Sequence, residues 1–274
     1  MTKLCWGAAT DAGRVRRRNE DSILADQPVF LVADGMGGHA AGEVASHLAM
    51  ATFLPLTGRR DVQTSEIGQL IAAANEAILQ AAAREPRSRG MGSTVVGLVL
   101  VADRDHDYWV VFNIGDSRLY RFAQRSLEQI TVDHSYVQEL VEAGRIKPQE
   151  ARGHPERNVV TRALGSVRMP EADYWLFTPE LGERYLLCSD GLSTEVEDRV
   201  IADLLHEFAD PVVAAEALVR EAVRAGGRDN VSAVVVDVVD GSYAAGDERL
   251  DDTAPRPELD TQRLGGPRRR GRHA

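Results

Sequence analysis

Four short apolar runs in this chain each meet an aspartate at one end. Val29-Phe30-Leu31-Val32-Ala33 leads into Asp34-Gly35-Met36-Gly37-Gly38, and Val110-Val111-Phe112-Asn113-Ile114 leads into Gly115-Asp116-Ser117. Tyr185-Leu186-Leu187-Cys188-Ser189 leads into Asp190-Gly191, and Gly227-Arg228-Asp229-Asn230 opens a fourth run at Val231. Aspartate is disfavoured inside strands and common in turns, where its side chain bonds to the backbone, so any one of these alone reads as a hairpin or loop. Together they carry a stronger constraint. If the four strand ends converge, their carboxylates repel one another and need a cation between them. Oxygen donors without histidine or cysteine clusters favour a hard ion, Mg²⁺ or Mn²⁺, over zinc.

The runs at 29–33, 94–101, 108–114, 117–122, 185–188 and 231–239 are rich in β-branched or other apolar residues and read as strands. Several are apolar at nearly every position, so both faces are expected to be covered. Ile67, Leu70, Ile71, Ala74, Ile78 and Ala81 keep the spacing of an amphipathic helix. Ala45, Leu48, Ala49 and Phe53 mark another, opening after Gly42, and Ala215, Leu218, Val219, Ala222 and Val223 mark a third that closes at Gly226-Gly227. Consecutive strands from 94 to 122, with helices before and after, favour an α+β fold. Its expected form is a central antiparallel β-sandwich flanked by helices on both faces, not a doubly wound parallel sheet. No GxxxxGK[ST] loop occurs and no strand leads into GxGxxG, so a nucleotide-binding fold has no support.

The chain has 274 residues, 43% of them apolar, enough for one sizeable core. A net charge of −10 argues against a non-specific nucleic-acid binder, and means that a phosphorylated ligand must be attracted by metal or by locally placed arginine. The segment Gly13-Arg14-Val15-Arg16-Arg17-Arg18-Asn19-Glu20-Asp21 supplies such arginines beside two further acids. Cys5 and Cys188 suggest neither a disulfide framework nor a zinc site. With no signal-peptide pattern and no apolar stretch of about 18 residues, a cytoplasmic location away from the membrane is expected. Residues 1–239 read as one globular domain. Residues 240–274, where seven acids balance seven arginines and large apolar residues are few, read as a disordered tail.

These motifs resemble those of the metal-dependent protein phosphatases of the PPM, or type 2C, family in its bacterial form. The resemblance spans residues 4–239. It rests on the 13–21 segment, Asp34-Gly35-Met36-Gly37-Gly38, Gly92-Ser93-Thr94, Gly115-Asp116-Ser117-Arg118, Ser189-Asp190-Gly191 and Gly227-Arg228-Asp229-Asn230, in that order. It implies hydrolysis of phosphoserine and phosphothreonine in proteins by a metal-activated water at a binuclear Mn²⁺/Mg²⁺ site. The opposing enzyme would be a bacterial Ser/Thr kinase, and the chain a monomer. By position, Asp34 would bridge the two ions, Gly35 would offer its carbonyl, and Asp190 and Asp229 would complete one ligand set. Asp116 with Asp190 would hold a weaker third ion. Arg16 would bind the substrate phosphate, and Glu20 and Asp21 would orient bound water from just outside the ligands. The segment 135–165 matches a flap beside the site, and Asn158 a further ligand near the third ion.

The general acid stays open. Relatives outside bacteria often carry histidine after the Asp-Gly pair, where this chain has Met36; His39 and metal-bound water are the candidates. Two other function classes compete: a non-catalytic binder of phosphoproteins, which the full set of aspartates disfavours, and an enzyme acting on a small phosphorylated metabolite. Thr253, Thr261 and the arginines at 268–272 offer weaker possibilities for modification or docking.

Overall fold

The computed structural model describes residues 2–37, 41–85, 88–103, 106–168 and 171–240. In chain order the elements are β1 (Lys3–Asp11), β2 (Asp21–Asp26), β3 (Val29–Met36), α1 (Ala41–Phe53), α2 (Thr64–Arg84), β4 (Gly92–Ser93), β5 (Val95–Asp103), β6 (His106–Ile114), β7 (Arg118–Ala123), β8 (Ser126–Gln129), α3 (Tyr136–Glu142), α4 (Pro148–Ala151), β9 (Asp173–Phe177), β10 (Arg184–Cys188), α5 (Asp190–Glu195), α6 (Asp198–Glu207), α7 (Pro211–Ala225) and β11 (Val231–Asp240). One sheet has five strands in the order β1-β11-β10-β7-β8. The other has six, in the order β2-β3-β5-β6-β9 with β4 added to β3. The pairings within both sheets are antiparallel.

Alternation along doubly buried strands builds the layers. On β3, Phe30 and Val32 face the opposite sheet, while Val29, Leu31 and Ala33 face helices. On β11, Val234, Val236 and Val238 enter the space between the sheets, and Val231, Ala233 and Val235 pack outward. Between the sheets, Phe30 sits edge-on to Trp6 and Trp109 at centroid distances of 5.5 and 6.5 Å. Each such ring contributes about 1.5–3 kcal/mol through burial alone. Helices α1 and α2 cover the six-stranded sheet through Ala45, Ala49, Phe53, Ile67, Ile71 and Ile78. Helices α5 to α7 cover the five-stranded one through Leu192, Ile201, Leu205, Leu218 and Ala222. The result is the four-layer α-β-β-α sandwich that the apolar runs led one to expect. No described helix is long and apolar enough to cross a membrane.

Strand β11 closes at Asp240, one residue past the expected end of the domain, where Asp240 meets Lys3 at 3.2 Å. The tail beyond it, with Thr253, Thr261 and the arginines at 268–272, lies outside the described residues, as does His39.

Candidate functional site

Asp34 does not stand beyond the end of its strand. Strand β3 continues through Met36 because Gly35 pairs with Ser93 and Met36 with Gly92. The Asp34 backbone is held in both directions: its N–H donates to Thr94 Oγ1 (2.9 Å), and its carbonyl accepts from the Thr94 N–H (2.9 Å). Thr94 Oγ1 is shared in turn with Ser117 Oγ at 2.7 Å. Across β2–β3, Asp34 lies directly opposite Asp21. Gly35 is required by close approach, since a Cβ there would meet the Gly42 carbonyl oxygen at 2.1 Å and the Glu20 oxygen at 2.6 Å. The start of α1 therefore rests on this turn of chain, and the Gly35 N–H donates to the Glu20 carbonyl (3.1 Å).

The other acids arrive from both sheets. Asp190 opens α5, directly after β10. Asp116 is buried in the turn after β6, behind Gly115, whose φ of 113° favours glycine. Asp229 precedes β11, and its Oδ2 accepts a 2.6 Å hydrogen bond from Arg16 Nη2. The Arg16 side chain is 51% exposed, so the guanidinium can be reached from solvent. Asp21, from the six-stranded sheet, accepts 2.7 Å bonds from Ser189 Oγ and Ser232 Oγ of the five-stranded sheet. These two buried hydroxyls tie the sheets together beneath the acids.

Burial and their neighbours' charges perturb these carboxylates. Burial, followed by the charges of Asp21, Asp190, Asp116 and Asp229, holds the Asp34 carboxyl well above the usual carboxylate range. Burial raises Asp21 to about 7 even though its serine partners oppose the shift. Asp190 is raised to about 6 by burial and then by Asp229, against a hydrogen bond with Asp34 that lowers it. Asp116 is pushed up by burial and then by Asp190 and Asp133. Glu20 is raised chiefly by burial, with Arg16 acting the other way. The Arg16 guanidinium is itself raised by its bond to Asp229.

The donor set suits a hard divalent cation. Two buried carboxylate oxygens, Asp21 Oδ1 and Asp190 Oδ1, have no hydrogen-bond partner among the described residues, although an unsatisfied buried acceptor is costly. The donors are oxygens, as Mn²⁺ and Mg²⁺ prefer. Among the described residues no group of three or more His, Cys, Asp or Glu side chains is drawn together as a finished ligand set. That is the arrangement expected of like charges only partly offset by Arg16 and Arg118: near enough to perturb one another, but not collapsed onto one point.

The expected flap, 135–165, carries α3 and α4 on a pinned stem. Ser135 bridges to Val160, Leu164 to Ser93, and the Thr161 N–H donates to the His134 carbonyl (2.8 Å). Asn158 is exposed, with no side-chain hydrogen bond among the described residues. Three supporting groups were not foreseen. Asn230 accepts from the Glu20 N–H and donates to the carbonyls of Ala12 and Arg18, fixing the arginine-bearing loop. Ser189 and Ser232 hold Asp21. Buried His134 accepts from the Gly115 N–H (3.1 Å) next to Asp116. Their spacing in sequence carried no signal, because each acts across elements.

Comparison with known proteins gives consistent likenesses. The family model described as protein phosphatase 2C matches residues 15–225. The serine/threonine protein phosphatase PstP of Mycobacterium tuberculosis is 40% identical over 242 residues, covering 88% of this chain and 46% of the relative. The chain thus spans about half the length of that relative. The serine/threonine phosphatase stp of Listeria welshimeri is 34% identical over 240 residues, covering 83% of this chain and 93% of the relative. The crystal structure of the catalytic domain of PstP in complex with 2 manganese ions superposes with a TM-score of 0.78 at 39% identity, covering 86% of this chain and 99% of that one.

Proposed function

The chain belongs to the protein phosphatase 2C family, and on that premise we propose that it hydrolyses phosphoserine and phosphothreonine in proteins. The observation that carries this reading is that the charges of Asp116, Asp190 and Asp229 all act on Asp34, while the solvent-reachable Arg16 bonds to Asp229. The names of the relatives support the substrate class, and the manganese complex of PstP supports the choice of metal.

In this reading Asp34, the Gly35 carbonyl, Asp190 and Asp229 would hold the metal ions. Asp116, with Asp190, would hold a further, weaker ion. When bound, Mn²⁺ or Mg²⁺ supplies Lewis acidity and an activated water at neutral pH. Arg16 exchanges Asp229 for the phosphoryl oxygens of the substrate, matching their geometry with its planar fork. Its charge then stabilises the phosphoryl group as attack and departure proceed in line. Glu20, beside Arg16, orients water at the rim, and buried Asp21, anchored by Ser189 and Ser232, does so from beneath the acids. Met36 has no proton to give the departing alkoxide, which leaves His39 or water as its donor. The substrates would be phosphoproteins made by a Ser/Thr kinase. Two free cysteines, Cys5 exposed and Cys188 buried, support a reducing, cytoplasmic setting.

A panel of phosphothreonine peptides and small phosphorylated metabolites, assayed with Mn²⁺, tests the reading. Higher kcat/KM on the peptides is expected. Turnover confined to metabolites would replace it with a small-molecule phosphatase.

A further inference from the structure

Helix α5 carries Asp190 at its first position and Glu195 at its last, ~7.5 Å apart along the helix axis. Asp190 belongs to the acids assigned to the metal, and Glu195 does not. The Glu195 side chain is nevertheless only 3% exposed, a rare place for a carboxylate without a partner. Its partner is Arg228. The Arg228 N–H donates to Glu195 Oε1 (3.1 Å), Nε donates to the same oxygen (2.8 Å), and Nη2 donates to Oε2 (2.9 Å). Arg228 immediately precedes Asp229. The helix that presents one metal-assigned aspartate thus grips, at its other end, the loop that presents another.

Asp229 needs such a grip. Asp190 is raised by burial and then by the charge of Asp229, so the two carboxylates repel each other until a cation offsets them. The loop at 226–230 is anchored on either side of Arg228. Before it, the N–H groups of Gly226 and Gly227 both donate to the Ala222 carbonyl (3.2 and 3.1 Å), and the Gly227 carbonyl accepts from the Arg14 N–H (2.7 Å). After it, Asn230 bonds to the carbonyls of Ala12 and Arg18. Between these anchors Glu195 takes the backbone of residue 228 itself. It also holds two nitrogens of the Arg228 guanidinium, so that cation is engaged by Glu195 and not by the neighbouring Asp229. Gly226 is packed directly on the same carboxylate, where a Cβ would meet Glu195 Oε2 at 2.5 Å.

We propose that Glu195 is a positioning residue for metal binding: by holding Arg228 it fixes Asp229 in place against the repulsion of Asp190. The inference rests on the metal-site reading above and adds to it a residue outside the ligand set.

The test uses the full chain, stripped of metal, as wild type, Glu195→Ala, Glu195→Gln and Gly226→Ala. Mn²⁺ affinity is read by calorimetry on proteins shown by circular dichroism to be folded in EDTA. Glu195→Ala removes every bond to Arg228 and should weaken Mn²⁺ binding roughly tenfold, the scale of a support lost from behind a ligand. Glu195→Gln gives up the charge yet keeps an oxygen for the Arg228 N–H, and should stay within about threefold of wild type. Gly226→Ala keeps both charges but pushes the carboxylate aside, at a φ of 174° that lies outside the left-handed region, and should also weaken binding several-fold. It carries the test if Glu195→Ala does not fold. The Mn²⁺ concentration for half-maximal turnover of an aryl phosphate should rise by the same factors, while kcat at saturating Mn²⁺ and KM for the ester hold. Wild-type affinity in both Glu195→Ala and Gly226→Ala would overturn the positioning role. So would equal losses in Glu195→Gln and Glu195→Ala with none in Gly226→Ala, the pattern of a remote charge. A wild type that binds no Mn²⁺ would instead overturn the metal-site reading beneath it.

Discussion

Arg16 Nη2 donates a 2.6 Å hydrogen bond to Asp229 Oδ2, so the chain's own cation sits on a carboxylate assigned to a metal ion. If Asp229 holds a metal ion as proposed, metal and Arg16 would compete for that carboxylate, and loading the site would free Arg16 for phosphate. Replacing Arg16 with alanine should leave Mn²⁺ affinity, measured by calorimetry on metal-stripped protein, unchanged or tighter. On phosphothreonine peptides kcat/KM should fall about 10- to 100-fold, the scale of one lost charged hydrogen bond. A parallel loss of metal affinity would contradict this division of roles.

Neutralising a central acid should separate folding from metal binding. Asp34→Asn removes a charge that its buried neighbours oppose, so in EDTA the variant should melt at or above the wild-type temperature. The rise in melting temperature that Mn²⁺ gives wild type should disappear in the variant. An undiminished Mn²⁺ shift would remove Asp34 from the ligand set.

The same acids fix the pH dependence of the metal-free protein. Folded Asp21 and Asp190 titrate near about 7 and about 6, above the ordinary 3.8, so between these values the native state binds more protons than the unfolded chain. Their contribution is full below the ordinary value and is lost as pH rises through the folded values. Urea unfolding in EDTA should accordingly show lower stability at pH 8 than at pH 5. Saturating Mn²⁺ should restore stability at pH 8. A metal-free protein more stable at pH 8 would contradict the convergence of these carboxylates.

The two cysteines should differ in reactivity. Burial pushes the Cys188 thiol up to about 12, whereas Cys5 is exposed. A thiol-reactive disulfide reagent at pH 8 should modify one thiol in the native protein and two in denaturant. Rapid reaction of both in the native state would show that β10 is not the buried strand described.

Much of the fold was legible because doubly covered strands are apolar at nearly every position. The runs at 29–33, 108–114, 185–188 and 231–239 fall on β3, β6, β10 and β11. Helices α1, α2 and α7 were legible for the complementary reason, a one-sided apolar stripe. Strand β1 was not, because its pattern is broken by Gly7, where a Cβ would meet the α7 backbone at 2.3 Å. That is a long-range demand no local pattern announces. Strands β2 and β9 are short, with mixed burial. Helix α6 carries its one-sided apolar stripe in Val200, Ile201, Leu204 and Leu205, over too few turns to stand out beside the longer helices. At the site, the acids were legible as types and positions. The continuation of β3 past Asp34 was not, since it depends on pairing with Gly92 and Ser93 far along the chain. Ser189 and Ser232 read as ordinary loop and strand serines until the sheets face each other across Asp21.

The central claim, that these aspartates hold the metal that makes a protein phosphatase, is tested most directly by phosphate release from a phosphothreonine peptide. Wild type and Asp34→Ala would be assayed in EDTA and then in titrated Mn²⁺ and Mg²⁺. The account predicts no turnover in EDTA, turnover that rises with Mn²⁺ or Mg²⁺ in wild type, and none at any metal concentration in the variant. A folded wild type that binds Mn²⁺ yet releases no phosphate, or a variant that matches it, would contradict the account.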